Sequence, residues 1–191
     1  MINTNRFYEK LYKDKKTGKT YYKPKKFLIY TDNIQKELYK FGKLKAIRAI
    51  KKYNSGRSKG RIVKANAFGS FLHRKMGVYW TDYKKVRLGS DIDLACIVEK
   101  GFKAPSNWKK IGDWQYITDS LDKYIPEINI VRKKIPFHPI NFIIFEVGRN
   151  DFNIVKNWIA LDESYSKKKG YLVETWFFDK KRFNKIKGEL K

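Results

Sequence analysis

A single cysteine, Cys96, is all the thiol this chain has. It excludes an internal disulfide and matches no zinc-ligand spacing. Acidic residues are scarce: 19 Asp and Glu face 44 Lys and Arg, a formal net charge of +25 over 191 residues. Long apolar runs are missing too. None approaches the roughly 20 residues that span a bilayer. The opening MINTNRFYEK has no apolar core of a secretory signal. No basic amphipathic helix stands out to favour a membrane surface. There is no internal repeat and no clear linker. These absences lead to the expectation of a soluble protein of a reducing cytoplasm, with one core, or one core and a small appendage.

What is present narrows this further. Hydrophobic residues make up 42% and aromatics 16% of the chain, which excludes a disordered polyelectrolyte. A surface so basic attracts polyanions and speeds their capture. Nucleic acid is therefore the expected partner, and membrane is not. A biased genome is the competing explanation, since Lys, Ile, Asn and Tyr are all abundant. Residues 1–66 hold 20 Lys or Arg and 4 Asp or Glu, the most basic third of the chain. A solvated basic face and an electrostatic platform for nucleic acid are the two readings of that stretch.

Periodicity and turn signals outline the elements. FYEKLYKD and TYYKPKKFLIY flank KKTGK as a hairpin, with Gly18 able to supply a positive φ. A helix is expected from Thr31-Asp32, striped by Ile34, Leu38, Leu44, Ile47 and Ile50, ending near Asn54-Ser55-Gly56. Residues 62–68 form a strand candidate, running into Gly69-Ser70 and a short helix from Phe71. GVYWTDYKKVRLGS is an excursion rich in turn, aromatic and basic residues. Strands are expected at 91–99, at 128–132 and from His138, and helices over 108–124 and 151–162, the latter capped by Asp151. Residues 171–178 fit strand or helix, and the chain closes on a basic helix. The resulting class is α/β (α+β). Residues 1–60 read as a basic extension and 61–191 as the main domain, or the whole as one continuous domain.

The segment GSDIDLACIVE carries the chemistry. Strand side chains alternate, so Ile92, Leu94, Cys96 and Val98 suit a core while Asp91 and Asp93 share the other face at one end. Two carboxylates so close repel and raise each other's proton affinity. A divalent cation removes that conflict, and Mg²⁺ (or Mn²⁺) takes hard oxygen ligands together with substrate phosphates. The plainer alternative is that Asp91 ends a strand and Asp93 pairs with a lysine. Upstream, AFGSF leads a strand into Gly69-Ser70, where the backbone can approach a phosphate closely and a helix start with the Ser70 hydroxyl can donate to it.

AFGSF, Gly77 and GSDIDL together resemble the signature of the polymerase-beta-type nucleotidyltransferase superfamily, most closely its small stand-alone members, the minimal nucleotidyltransferases. The resemblance covers residues 61–99 well and extends loosely to about 148. It implies a mixed sheet with helices on one face, Mg²⁺, and an NTP as substrate. Gly69 and Ser70 would hold the β- and γ-phosphates, and Asp91 and Asp93 the metals. A hydroxyl would attack the α-phosphate and pyrophosphate would leave. The charge favours an RNA end as acceptor. A protein hydroxyl is the other, because some minimal nucleotidyltransferases act as antitoxins that modify or mask a toxin partner. Two departures stand out. The Gly-Ser to Asp spacing is lengthened by YWTDYKKVRLGS, and the family's third carboxylate is matched by Asn141, which can ligate through oxygen but is no general base. Glu146 is the alternative if the strand register differs.

Around these motifs, Lys75, Arg87 and Ser90 are nucleotide-binding candidates, and Arg74, Lys84, Lys85 and Tyr79 are candidates for a nucleic-acid strand. Solvated charge and local packing are the competing readings. His73 reads as a surface residue or a phosphate contact, and His138 as shaping a strand entrance. Trp108, Trp114, Trp158 and Trp176 are expected in the core, and Cys96 is expected to be buried and inert. The alternative to an enzyme is a catalytically weak or inactive relative that binds nucleic acid or a partner protein.

Overall fold

A computed structural model describes residues 8–13, 20–24, 26–81, 85–89, 91–120, 139–148 and 172–189, with side chains described over 29–77, 91–118, 139–148 and 172–187. Chain order is β1 (Tyr8–Lys13), β2 (Thr20–Pro24), β3 (Lys26–Ile29), α1 (Asp32–Asn54), β4 (Ile62–Phe68), β5 (Gly77–Thr81), β6 (Lys85–Gly89), β7 (Ile92–Val98), β8 (Lys109–Gly112), β9 (Gln115–Ser120), β10 (Pro139–Glu146), β11 (Glu174–Phe177) and α2 (Lys180–Glu189). Six strands form the central sheet in the order β11-β4-β7-β10-β9-β8. Only β7 and β10 run parallel; the other pairs are antiparallel. The molecule is thus α+β with a mixed sheet.

Strand β7 sits inside the sheet because it is apolar on both sides. Ile92, Leu94, Cys96 and Val98 enter the main core with Ile62, Ala65, Ile140 and Phe142, while Ile97 turns to the other face. Helix α1 covers the first face. Its inner stripe is Gln35, Leu38, Gly42, Ala46, Ile50 and Tyr53, at helical spacing. Leu44, expected on that stripe, is exposed instead; the small residues Gly42 and Ala46 bring the helix axis close to the sheet. On the second face, α2 packs Phe183 and Ile186 on Val63, Ile97 and Val147. The helices therefore lie on both faces, not on one, because β4 and β7 carry apolar side chains toward both.

The helix expected over 108–124 is replaced by the β8–β9 hairpin. Asp113 and Trp114 turn the chain between the paired Gly112 and Gln115, and Tyr116 then packs on the core while Gln115 stays exposed. Trp108 stacks on Phe142 with ring centroids 4.1 Å apart, anchoring the hairpin. Residues 174–177 resolve as strand. The helix expected from Phe71 is only a 3-10 turn, Gly69–Phe71. β1 and β2 form the expected hairpin, but Lys26–Ile29 leaves it to join β5 and β6 in a three-stranded sheet. The excursion at 77–90 is the β5–β6 arm of that sheet. The expected elements at 128–132 and 151–162 lie outside the described residues. Among the described residues, no helix is long and apolar enough to cross a membrane.

Candidate active site

Antiparallel pairing of β4 with β7 sets Phe68 opposite Asp93, so the Gly69-Ser70 turn that ends β4 begins beside that carboxylate. Gly69 has φ +76°, and a Cβ there would lie 3.1 Å from Asp93 Oδ2. Both the left-handed conformation and the close approach require glycine. The chain then folds tightly: the His73 amide donates to Gly69 O at 3.2 Å and the Lys75 amide to Ser70 O at 2.9 Å. Phe71 pins the turn to the core, buried and stacked on Tyr39 at 5.2 Å. Buried Gln35 braces its end, donating to Met76 O at 2.8 Å and Tyr30 O at 3.2 Å, and accepting from the Met76 amide at 3.1 Å.

Parallel pairing of β10 with β7 places Asn141 in register with Asp93. The Asn141 amide donates through Nδ2 to Asp93 Oδ1 at 3.0 Å. Asn141 is only 7% exposed, and its Oδ1 is buried with no hydrogen-bond partner among the described residues. Burial pushes the Asp93 carboxyl above the usual aspartate range, while the bond from Asn141 offsets part of that rise. Asp91 immediately precedes β7, half-buried, on the same side as Asp93 by alternation. Gly69, Ser70, Asp91, Asp93 and Asn141 are thus brought to one end of three adjacent strands.

Glu146 does not join them. It ends β10 opposite Val98, about 16 Å along the strand from Asn141. Its carboxylate accepts from the Gly101 amide at 2.6 Å and the Phe102 amide at 3.2 Å. Arg74, with φ +51°, and Lys75 are exposed on the turn after Ser70. Tyr79 and Arg87 are cross-strand partners in the β5–β6 arm, which also carries Lys85; only their backbone is described. Lys84 and Ser90, with His138 and Trp158, lie outside the described residues. His73 is exposed, Trp108 and Trp176 are core, and Trp114 is half-buried. Cys96 is fully buried, and burial pushes its thiol far above the range in which it would react, as expected of an inert position.

Two polar elements escaped the reading of the sequence. Gln35 has a signal, a long amide at an inner position of an apolar stripe. The other is Glu174 on β11, which accepts from Tyr39 Oη at 2.6 Å and pairs with Lys43, tying α1 to the sheet edge. Its partners lie more than 130 residues away, and no local pattern announces them.

The donor set suits a hard cation. Asp91 and Asp93 supply carboxylates, and the unpartnered Oδ1 of buried Asn141 supplies a neutral oxygen. All-oxygen sets of this kind fit Mg²⁺ or Mn²⁺ rather than zinc. Among the described residues, no three His, Cys, Asp or Glu side chains gather as a metal cluster. The backbone N–H groups at the Gly69 turn are those of a short turn, not of a helix start, and give dipole support only locally. Comparison of the chain with protein-family models, curated proteins and solved structures finds no match.

Proposed function

We propose that this protein is a metal-dependent nucleotidyltransferase, moving a nucleoside monophosphate from an NTP to a hydroxyl, with a nucleic-acid end as the favoured acceptor. One observation carries the reading: Asp93 on β7 accepts from Asn141 on β10 at 3.0 Å and lies so close to the Gly69 turn that ends β4 that a Cβ there would be 3.1 Å from its Oδ2. The net charge of +25 supports the choice of a polyanionic acceptor.

Each residue has a separable role. The glycine at 69 lets backbone N–H groups come close to phosphate oxygens, and Ser70 stands next in the turn. Asp91, Asp93 and Asn141, through its carbonyl oxygen, would hold Mg²⁺. When bound, that ion neutralises the triphosphate and stabilises charge on the leaving pyrophosphate. The acceptor oxygen forms a bond to the α-phosphorus, the bond from that phosphorus to the β-bridging oxygen breaks, and the hydroxyl proton must pass to a base. An amide at 141 cannot accept it, so slow turnover is expected.

That same amide favours a second reading, a catalytically inactive relative that binds nucleic acid or a partner protein. Labelled NTPs with Mg²⁺ or Mn²⁺, alone and with short RNAs or DNAs, separate the two. Label transfer by the native chain, falling more than about a hundredfold in Asp91→Asn/Asp93→Asn, fits the enzyme. No transfer, with RNA binding unchanged in the variant, fits the binding protein.

A further inference from the structure

Arg61 and Gly69 bracket β4, so the two ends of that strand are about 26 Å apart. At the Arg61 end, a cleft of about 510 Å³ opens between the last turn of α1 and β11, lined by Lys51, Ser55, Arg61, Trp176, Phe177 and Phe178. Its size falls within the roughly 300–1,000 Å³ of small-ligand sites. The Arg61 guanidinium is incompletely spent. Asp179 Oδ2 lies 3.9 Å from its Nη1 and is shared with Arg182 at 3.3 Å. Its Nε is buried with no acceptor among the described residues. Such a group gains from an added anion. Lys51 adds an exposed cation on the same cleft. The opposite wall is aromatic. Trp176, with Lys43 Nζ 6.0 Å from its ring centre, and half-buried Phe178 turn their rings to the α1 side, while Phe177 packs on Phe183 on the other face.

We infer that this cleft binds a nucleoside phosphate, with the phosphate at Arg61 and Lys51 and the base against the aromatic wall, as one nucleotide of a single-stranded nucleic acid or as a free nucleotide. The cations disfavour a purely apolar ligand. The volume and the rings exceed what a bare phosphate needs. Base stacking on aromatics beside a basic rim is the common physical basis of single-strand binding. The site is distinct from the Asp93 end and does not depend on catalysis there.

The test is binding of a fluorescent short single-stranded RNA to the full chain by anisotropy, over a salt series. Lys51→Gln/Arg61→Gln should weaken binding about tenfold and reduce the salt slope by about one unit. Lys36→Gln/Lys40→Gln removes the same charge from exposed positions on the first half of α1 and should change affinity by about twofold or less. Phe178→Ala should weaken binding about tenfold with the salt slope unchanged, and Phe177→Ala, on the other face, should change affinity by about twofold or less. Should Arg61→Gln impair folding, exposed Lys51→Gln alone, with 4-thiouridine RNA cross-linking to residues 176–178, carries the test. Displacement of the RNA by AMP assigns the cleft to a free nucleotide; failure of AMP to displace assigns it to a strand. Equal weakening by the two double variants, native affinity in Phe178→Ala, no cross-link at 176–178, or no binding of RNA and AMP by the native chain would each overturn the inference. Asp91→Asn/Asp93→Asn should remove label transfer and leave the cross-link at residues 176–178 in place, so failure at one site is distinguishable from failure at the other.

Discussion

The two ends of the β7–β10 pair treat their acids in opposite ways. At the far end, Glu146 accepts from two backbone amides, and Glu99, just beyond β7, accepts from Arg182 at 2.8 Å and the Arg61 amide at 3.2 Å. At the near end, Asp93, half-buried like those two, accepts from a neutral amide, and no cation among the described residues pairs with it. In a chain with 44 cationic side chains, pairing an acid is easy. Leaving one buried beside Asn141 costs stability, and such costs concentrate at functional positions. The far end is built to hold the strands together, and the near end to receive something positive.

The largest effect is expected from Asn141→Asp, which makes the near end fully acidic. If transfer is limited by proton removal, turnover with Mg²⁺ should rise about a hundredfold, measured as label transferred per enzyme. The same variant should melt lower than native in EDTA and recover with Mg²⁺, because two buried carboxylates then repel. Unchanged turnover would leave the near end without a catalytic use for a third acid.

Gly69→Ala should come next. A φ of +76° disfavours any Cβ, and this one would crowd Asp93 Oδ2 at 3.1 Å. A loss of about 1–2 kcal/mol is expected by chemical denaturation, together with loss of transfer. A native-like midpoint would mean that the turn and Asp93 are not tightly apposed.

The comparison is sharpest in the signs of two single substitutions. Burial holds the Asp93 carboxyl above its unfolded value, so its contribution to stability is complete below that value and lost as pH rises through the folded one. Asp93→Asn should therefore stabilise the metal-free protein at pH 7 while removing activity. Glu146→Ala strips an acceptor from two amides and should destabilise by about 1 kcal/mol, a midpoint shift of about 2–4 °C downward. Thermal melts of both in EDTA check this, and shifts of the same sign would dissolve the contrast.

The smallest effect concerns Glu174. Burial pushes its carboxyl up, but the bonds from Lys43 and Tyr39 outweigh burial and leave it below the ordinary value of 4.5. Its contribution is present above that unfolded value and lost as pH falls through the lower folded one. Glu174→Gln should flatten the acid limb of a stability–pH curve below about pH 4.5 and leave the neutral region little changed.

What the residue order determined by itself was local. The helix from Asp32 to Asn54, the strand Ile62–Phe68, the apolar alternation of β7 and the basic final helix all follow from periodicity and breakers. The burial of Cys96 was legible for the same reason, whereas Asn141, which β10–β7 pairing sets beside Asp93, was singled out only through the resemblance. The reading failed where long-range contacts override local preference. Residues 109–120 fold as a hairpin because Trp108 stacks on Phe142 from a strand more than thirty residues later. The turn at Gly69–Phe71 stops after three residues because Gln35 and Tyr39 hold the chain that follows. Only the tertiary structure removed Glu146 from the site, left Asn141 Oδ1 without a partner, and opened a cleft at Arg61. Strand order and register decide which distant residues meet, and a one-dimensional pattern carries no term for them.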